Sequence, residues 1–225
     1  RSYETYSIKA LTMSKSEAKA FKGPVAKTEN QRRFLQSVHE HDITIVQGTV
    51  GVGKSFLATG LACEYLMKGK VEKILFARTS INLIKEYGYN VGSWEEKSIA
   101  LFDQVVYYFC QFLGEGQFKK LWNDKVIEFT STSIIRGRSL KDSFVCIDEA
   151  QTLTREDWIL TLGRLDRNSK IIYMGDRWQS QGDDGFFAKL FDNLEDEAIA
   201  KVELTEEDCE RNKHISRICK KIREM

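Results

Sequence analysis

Gly48-Thr49-Val50-Gly51-Val52-Gly53-Lys54-Ser55 directly follows the apolar run Ile43-Thr44-Ile45-Val46 and leads into Phe56-Leu57-Ala58-Thr59-Gly60-Leu61-Ala62-Cys63-Glu64-Tyr65-Leu66, whose apolar spacing is helical. Strand, loop and helix stand in the order that a Gly-x-x-x-x-Gly-Lys-Ser motif requires. The glycines let consecutive backbone N–H groups turn inward around a phosphate. Lys54 and Ser55 reach the terminal phosphates and a magnesium ion, and the helix N-terminus adds its dipole. A plain glycine-rich turn accounts for the loop but not for the agreement of all three parts. The stretch therefore predicts a nucleoside triphosphate site. Its expected nucleotide contacts are Gly48, Thr49, Val50, Gly51, Val52, Gly53, Lys54, Ser55 and Phe56, with Ser55 also a ligand of Mg2+.

Outward from this loop, strand candidates recur at 42–46, 73–77, 126–129, 143–147, 170–174 and 201–204, mostly separated by helical stretches. A helix is expected to start at the cap Thr28, with Glu29 in its first turn and Phe34, Leu35 and Val38 on one face. Alternating strands and helices predict an α/β fold: a mostly parallel sheet with helices on both faces, in which ligands sit beyond the carboxyl ends of the strands. Residues 1–27, which hold the sole proline, Pro24, read as an N-terminal arm, and 28–225 as one domain.

The chain has 225 residues and is 42% hydrophobic, enough for one sizeable core rather than two. Its 34 basic and 33 acidic residues nearly cancel, so total charge argues for neither nucleic acid nor a membrane surface. An acidic stretch, 186–210, and a basic tail, 211–225, read as solvated faces. The five cysteines are odd in number and lack metal-site spacing, and the three histidines are scattered, so zinc is not suggested and a reduced, cytoplasmic location is expected. No apolar run approaches a membrane span and no signal-peptide pattern appears, so no membrane partner is expected.

Hydrolysis needs a metal anchor and a group that orients water. Phe144-Val145-Cys146-Ile147-Asp148-Glu149 offers both, a buried strand ending in two carboxylates. Asp148 is assigned to the metal and Glu149 to the attacking water; capping of a following helix is the simpler alternative. A second strand ends in Gly175-Asp176-Arg177-Trp178-Gln179, where the Gln179 amide could sense the terminal phosphate, or the segment could be only a turn. Upstream, Gln31 could read an adenine edge by paired hydrogen bonds, or belong simply to a helix start.

Together these residues resemble the PhoH family of P-loop ATPases. The likeness extends to Ile135-Arg136-Gly137-Arg138-Ser139-Leu140-Lys141-Asp142-Ser143-Phe144, to Ile147-Asp148-Glu149-Ala150-Gln151-Thr152, to Gly175-Asp176 with Gln179, to Tyr87-Gly88-Tyr89 with Gly92 and Lys97, and to Asp208-Cys209-Glu210-Arg211-Asn212. It runs from about Thr28 to the C-terminus. The resemblance implies a RecA-like core of the type found in superfamily 1 helicases, ATP as nucleotide, and ring-shaped homo-oligomers, a hexamer among them. It supports Gln31 and Gln179 as site residues and makes Arg211 a candidate arginine finger reaching a neighbouring subunit. Asn90 and Val91 depart from the family pattern, which has Leu-Pro there, and Glu210 and Asn212 flank Arg211 unusually.

Three functions compete at this level. The first is an oligomeric Mg2+-dependent ATPase coupled to binding or unwinding of RNA or single-stranded DNA, with Arg136, Arg138, Tyr87, Tyr89 and Trp94 as candidate contacts. The second is an ATPase switch acting on proteins, which the neutral charge favours. The third, a small-molecule kinase, fits poorly with the Asp148-Glu149 pair, because a kinase excludes water.

Overall fold

In the computed structural model, which describes residues 21–79, 101–179 and 185–209 together with 218 and 221, side chains alternate between the two faces of one sheet. The elements are α1 (Glu29–Glu40), β1 (Ile43–Gly48), α2 (Lys54–Met67), β2 (Lys73–Arg78), α3 (Asp103–Leu113), α4 (Glu115–Asn123), β3 (Ile127–Ser131), α5 (Thr132–Ile135), β4 (Ser143–Ile147), α6 (Arg155–Leu162), β5 (Lys170–Gly175), α7 (Phe186–Asn193) and β6 (Ile199–Leu204). Every strand pairing is parallel, and the six strands lie in the order β3-β2-β4-β5-β1-β6. The expected α/β architecture is thus present, with each predicted strand found and its ends moved by two residues at most.

Parity decides which core each strand residue joins. Ile74, Phe76, Phe144, Cys146, Ile172 and Met174 pack on one face with α2 and α3. Leu75, Ala77, Val145, Ile147, Ile171 and Tyr173 pack on the other with Trp158 and Phe187. Burying each such large apolar side chain contributes about 1.5–3 kcal/mol, so a one-residue slip in any strand would be costly. All five residues of β4 are buried, and Asp148 follows directly at its carboxyl end.

The order of strands positions the site. β1, which carries the phosphate loop, and β4, which carries Asp148, are not neighbours; β5 lies between them. The carboxyl ends of all three open on the same edge of the sheet, with Gln47 in register with Gly175. Residues 21–27 form no helix or strand, yet Phe21 packs on the core, and Pro24 lies close over Gly60 of α2. Among the described residues no helix is long and apolar enough to cross a membrane.

Candidate nucleotide site

The loop between β1 and α2 turns through Gly51 and Gly53, both in the left-handed region at φ 88° and 92°, where a side chain would be strained. Those two turns aim the start of α2 at the cleft. Lys54, its first residue, curls back and donates from Nζ to the Gly48 carbonyl at 2.5 Å and to the Thr49 carbonyl at 2.9 Å. The ammonium thus lies across the mouth of its own loop, where a phosphate can accept from it instead. A cleft of about 380 Å³ runs over the loop and is bordered by Gln31, Ser55, Phe56, Asp148 and Glu149. That size suits a small-molecule site.

Two carboxylates meet this cleft by different routes. Asp148 continues β4, its N–H donating to the Ala77 carbonyl at 2.8 Å, and its side chain is buried. Glu149 then takes a left-handed backbone, φ 56°, which turns the chain into the short 3-10 turn Ala150–Thr152. A non-glycine residue there costs on the order of 1–3 kcal/mol, a strain typical of functional turns. Its side chain is held as well: Gln151 donates from Nε2 to Glu149 Oε2 at 2.6 Å.

Arg78, at the carboxyl end of β2, is not singled out by the sequence. Its Nε and Nη2 both donate to Asp148 Oδ2, at 3.1 and 2.6 Å, and Nη1 donates to the Leu101 carbonyl at 2.7 Å. The ring of Phe102 lies under the guanidinium, 5.1 Å from its centroid. A buried carboxylate without a counter-charge is costly, and the Arg78 guanidinium supplies that counter-charge to Asp148. The bond uses one oxygen, which leaves Oδ1 for a metal. Lys54, Ser55 and Asp148 therefore offer the donor set a Mg2+–nucleotide complex needs: a cation for phosphate, a hydroxyl at a helix start and a carboxylate oxygen. Cys146, two residues before Asp148, is pushed up in pKa by burial and further by the Asp148 charge, so it stays a neutral core thiol.

Gln31 borders the cleft, and its side-chain amide braces the loop from beneath. Its Nε2 donates to the carbonyls of Val52 at 3.2 Å and Asp208 at 3.4 Å, and its Oε1 accepts from the Lys27 N–H at 2.8 Å. Both amide hydrogens are thus engaged with backbone; reading an adenine edge requires one of them to be released. The buried Asp208 joins this brace, accepting from Thr28 Oγ1, from Asn30 Nδ2 at 3.0 Å and from the Thr205 N–H at 2.7 Å. Thr28 caps α1 as expected.

Gln179 lies beyond the cleft lining, in the turn Arg177–Gln179, and donates to Asp176 Oδ2 at 3.2 Å. It connects to the carboxylates indirectly: the Asp176 N–H donates to Gln151 Oε1 at 3.1 Å, and Gln151 holds Glu149. Arg138 pairs with Glu128, and Arg136 with Asp157. Arg211, Tyr87, Tyr89, Gly92, Trp94 and Lys97 lie outside the described residues. Besides Arg78, the sequence does not single out Gln151 or Asp208, although they sit in the segments Ile147-Asp148-Glu149-Ala150-Gln151-Thr152 and Asp208-Cys209-Glu210-Arg211-Asn212. A charged side chain ending an apolar strand, as in Leu75-Phe76-Ala77-Arg78, is the available signal for Arg78.

Comparison with known proteins identifies the family. A family model described as PhoH-like protein matches residues 25–223. The chain belongs to the PhoH family. Among PhoH-family relatives, the PhoH-like protein of Mycobacterium tuberculosis strain H37Rv is 31% identical over 196 residues, covering 85% of this chain and 56% of the relative. That of Synechocystis is 30% identical over 165 residues, covering 72% of this chain and 50% of the relative. The chain thus spans about half the length of these curated relatives. The large terminase of a thermophilic bacteriophage superposes with a TM-score of 0.54 at 13% identity, covering 88% of this chain and 50% of that one; the likeness is one of fold. Family and fold together support a nucleotide-binding protein of the P-loop ATPase type.

Proposed function

We propose that this chain hydrolyses ATP with Mg2+ at the cleft above β1, β4 and β5, and that it couples hydrolysis to RNA or single-stranded DNA as a cytoplasmic homo-oligomer. The observation that carries the reading is the meeting of Lys54, Asp148 and Glu149 on one cleft. Bound Mg2+ would neutralise charge on the terminal phosphates. Ser55 and Asp148 would hold it, and Lys54 would move from the Gly48 and Thr49 carbonyls to the phosphates. Glu149, fixed by Gln151, would orient the attacking water and take its proton. Gln179 would act on the terminal phosphate through the Asp176–Gln151 chain rather than by standing in the cleft of this state. Gln31 would read the adenine edge after exchanging one backbone partner.

The nucleic-acid part rests on the helicase-like motif set, and the oligomer on the sheet of the described residues, whose one domain lines the cleft described here. A neighbour's Arg211 would supply the opposite charge. The protein-directed switch is favoured only by the near-neutral net charge. Phosphate release from ATP, measured with and without single-stranded RNA or DNA at low salt, separates the two: stimulation supports the first reading and indifference the second. Light scattering that finds only an active monomer would remove Arg211 from its role.

A further inference from the structure

Helix α3 carries two stripes. Val105 and Phe109 point into the core, whereas Gln104, Tyr107, Tyr108 and Gln111, spaced i, i+3, i+4 and i+7, border the cleft over the phosphate loop. Tyr107 is 60% exposed, with its ring beside the cleft. Both rings are held in place. Gln104 donates to the Tyr108 hydroxyl at 2.8 Å and Gln111 to the Tyr107 hydroxyl at 3.1 Å. Phe56 of α2 supports the Tyr108 ring edge-on at 5.3 Å, with Phe112 behind it at 5.1 Å. The two tyrosine rings meet at 56°, 6.1 Å apart, and so form a fixed corner.

We infer that this corner is the stacking face for the base of the bound nucleoside triphosphate. The inference rests on the nucleotide-site reading above and extends it to α3. The same cleft holds Lys54 and Ser55 for the phosphates, and Val25, 73% exposed, borders it together with the tyrosines. A planar base lying on one ring meets the edge of the other, the arrangement aromatic pairs prefer. The amide of Gln111 beside Tyr107 can hydrogen-bond the rim of that base. Gln31, by contrast, has its amide hydrogens on the carbonyls of Val52 and Asp208, so the planar surface offered to a base is on α3 rather than α1.

The test compares two ligands on the same protein by titration calorimetry in magnesium chloride: ATP, and inorganic tripolyphosphate, which lacks a base. For the Tyr107→Ala/Tyr108→Ala variant, ATP affinity should fall roughly tenfold or more, the usual loss for one stacked base, while tripolyphosphate affinity stays within about twofold. Tyr107→Phe/Tyr108→Phe keeps the rings but loses the two glutamine hydrogen bonds, and should retain most of the ATP affinity that the alanine variant loses. Unchanged ATP affinity in the alanine variant overturns the inference, as does an equal loss for both ligands, which would mark a structural role. A change in self-association with ATP affinity intact would make the corner a subunit contact and overturn it too. If the parent binds neither ligand, the nucleotide-site reading itself falls, an outcome distinct from all of these.

Discussion

Half-buried Arg78 and buried Asp148 form an ion pair in which two guanidinium nitrogens share a single carboxylate oxygen. The arrangement balances the carboxylate's charge through one oxygen, and Asp148 lines the cleft. Replacing Arg78 with Gln should lower stability by about 3 kcal/mol, because it strands a buried charge. Mg2+ without nucleotide should then raise the urea midpoint of the variant more than that of the parent, since the metal takes over the missing charge. Equal Mg2+ effects on both proteins would mean that Asp148 does not face the metal.

Gln151 is tied at both ends, to Glu149 and to the Asp176 backbone. Gln151→Ala frees the Glu149 side chain and leaves a buried N–H unpaired, a loss of about 1–3 kcal/mol. If the glutamine positions Glu149, kcat for ATP should fall roughly tenfold to hundredfold while KM changes little. Steady-state kinetics decides this: parallel changes in kcat and KM would point to general damage rather than positioning.

At the opposite end of the sheet, His39 stacks on Tyr65 with ring centroids 5.5 Å apart and Nδ1 2.9 Å from its hydroxyl. Burial lowers its pKa below the usual 6.5; nearby Lys70 and Lys170 push the same way, against the raising effect of Glu64. A group with a depressed folded-state pKa contributes stability that is complete above the unfolded value and is lost as pH falls through the folded one. Urea midpoints should therefore drop as pH falls below 6.5, and His39→Gln should flatten that part of the profile. An unchanged slope in the variant would assign the drop to other groups.

Much of this fold is legible in the sequence because period-two burial and a phosphate-loop motif leave few alternatives. Ser143–Ile147 is predicted with both ends correct, since Ser143 and Asp148 bracket a run that only a buried strand can use. Other ends slip: β1 runs on through Gln47 and Gly48 because their backbones still find partners in β6, which side-chain polarity hides. In the site, the residues of the loop and the Asp-Glu pair are readable because local spacing carries their chemistry. Arg78, Asp208 and the α3 tyrosines are not, because their partners lie far away in sequence: Arg78 reaches Asp148, Asp208 reaches Thr28, and Tyr108 meets Phe56. Gln31 reads in the sequence as a base-edge contact, yet in this state its hydrogen bonds brace the loop, a use that only the closed turn at Val52 creates.

The central claim, hydrolysis of ATP with Glu149 directing the water, is tested most directly by measuring ATP binding and phosphate release together for the parent, Glu149→Gln and Lys54→Ala. The account predicts that Glu149→Gln binds ATP as the parent does but releases phosphate about 10²–10⁴-fold more slowly, whereas Lys54→Ala loses affinity as well. Phosphate release by Glu149→Gln at the parental rate would contradict it.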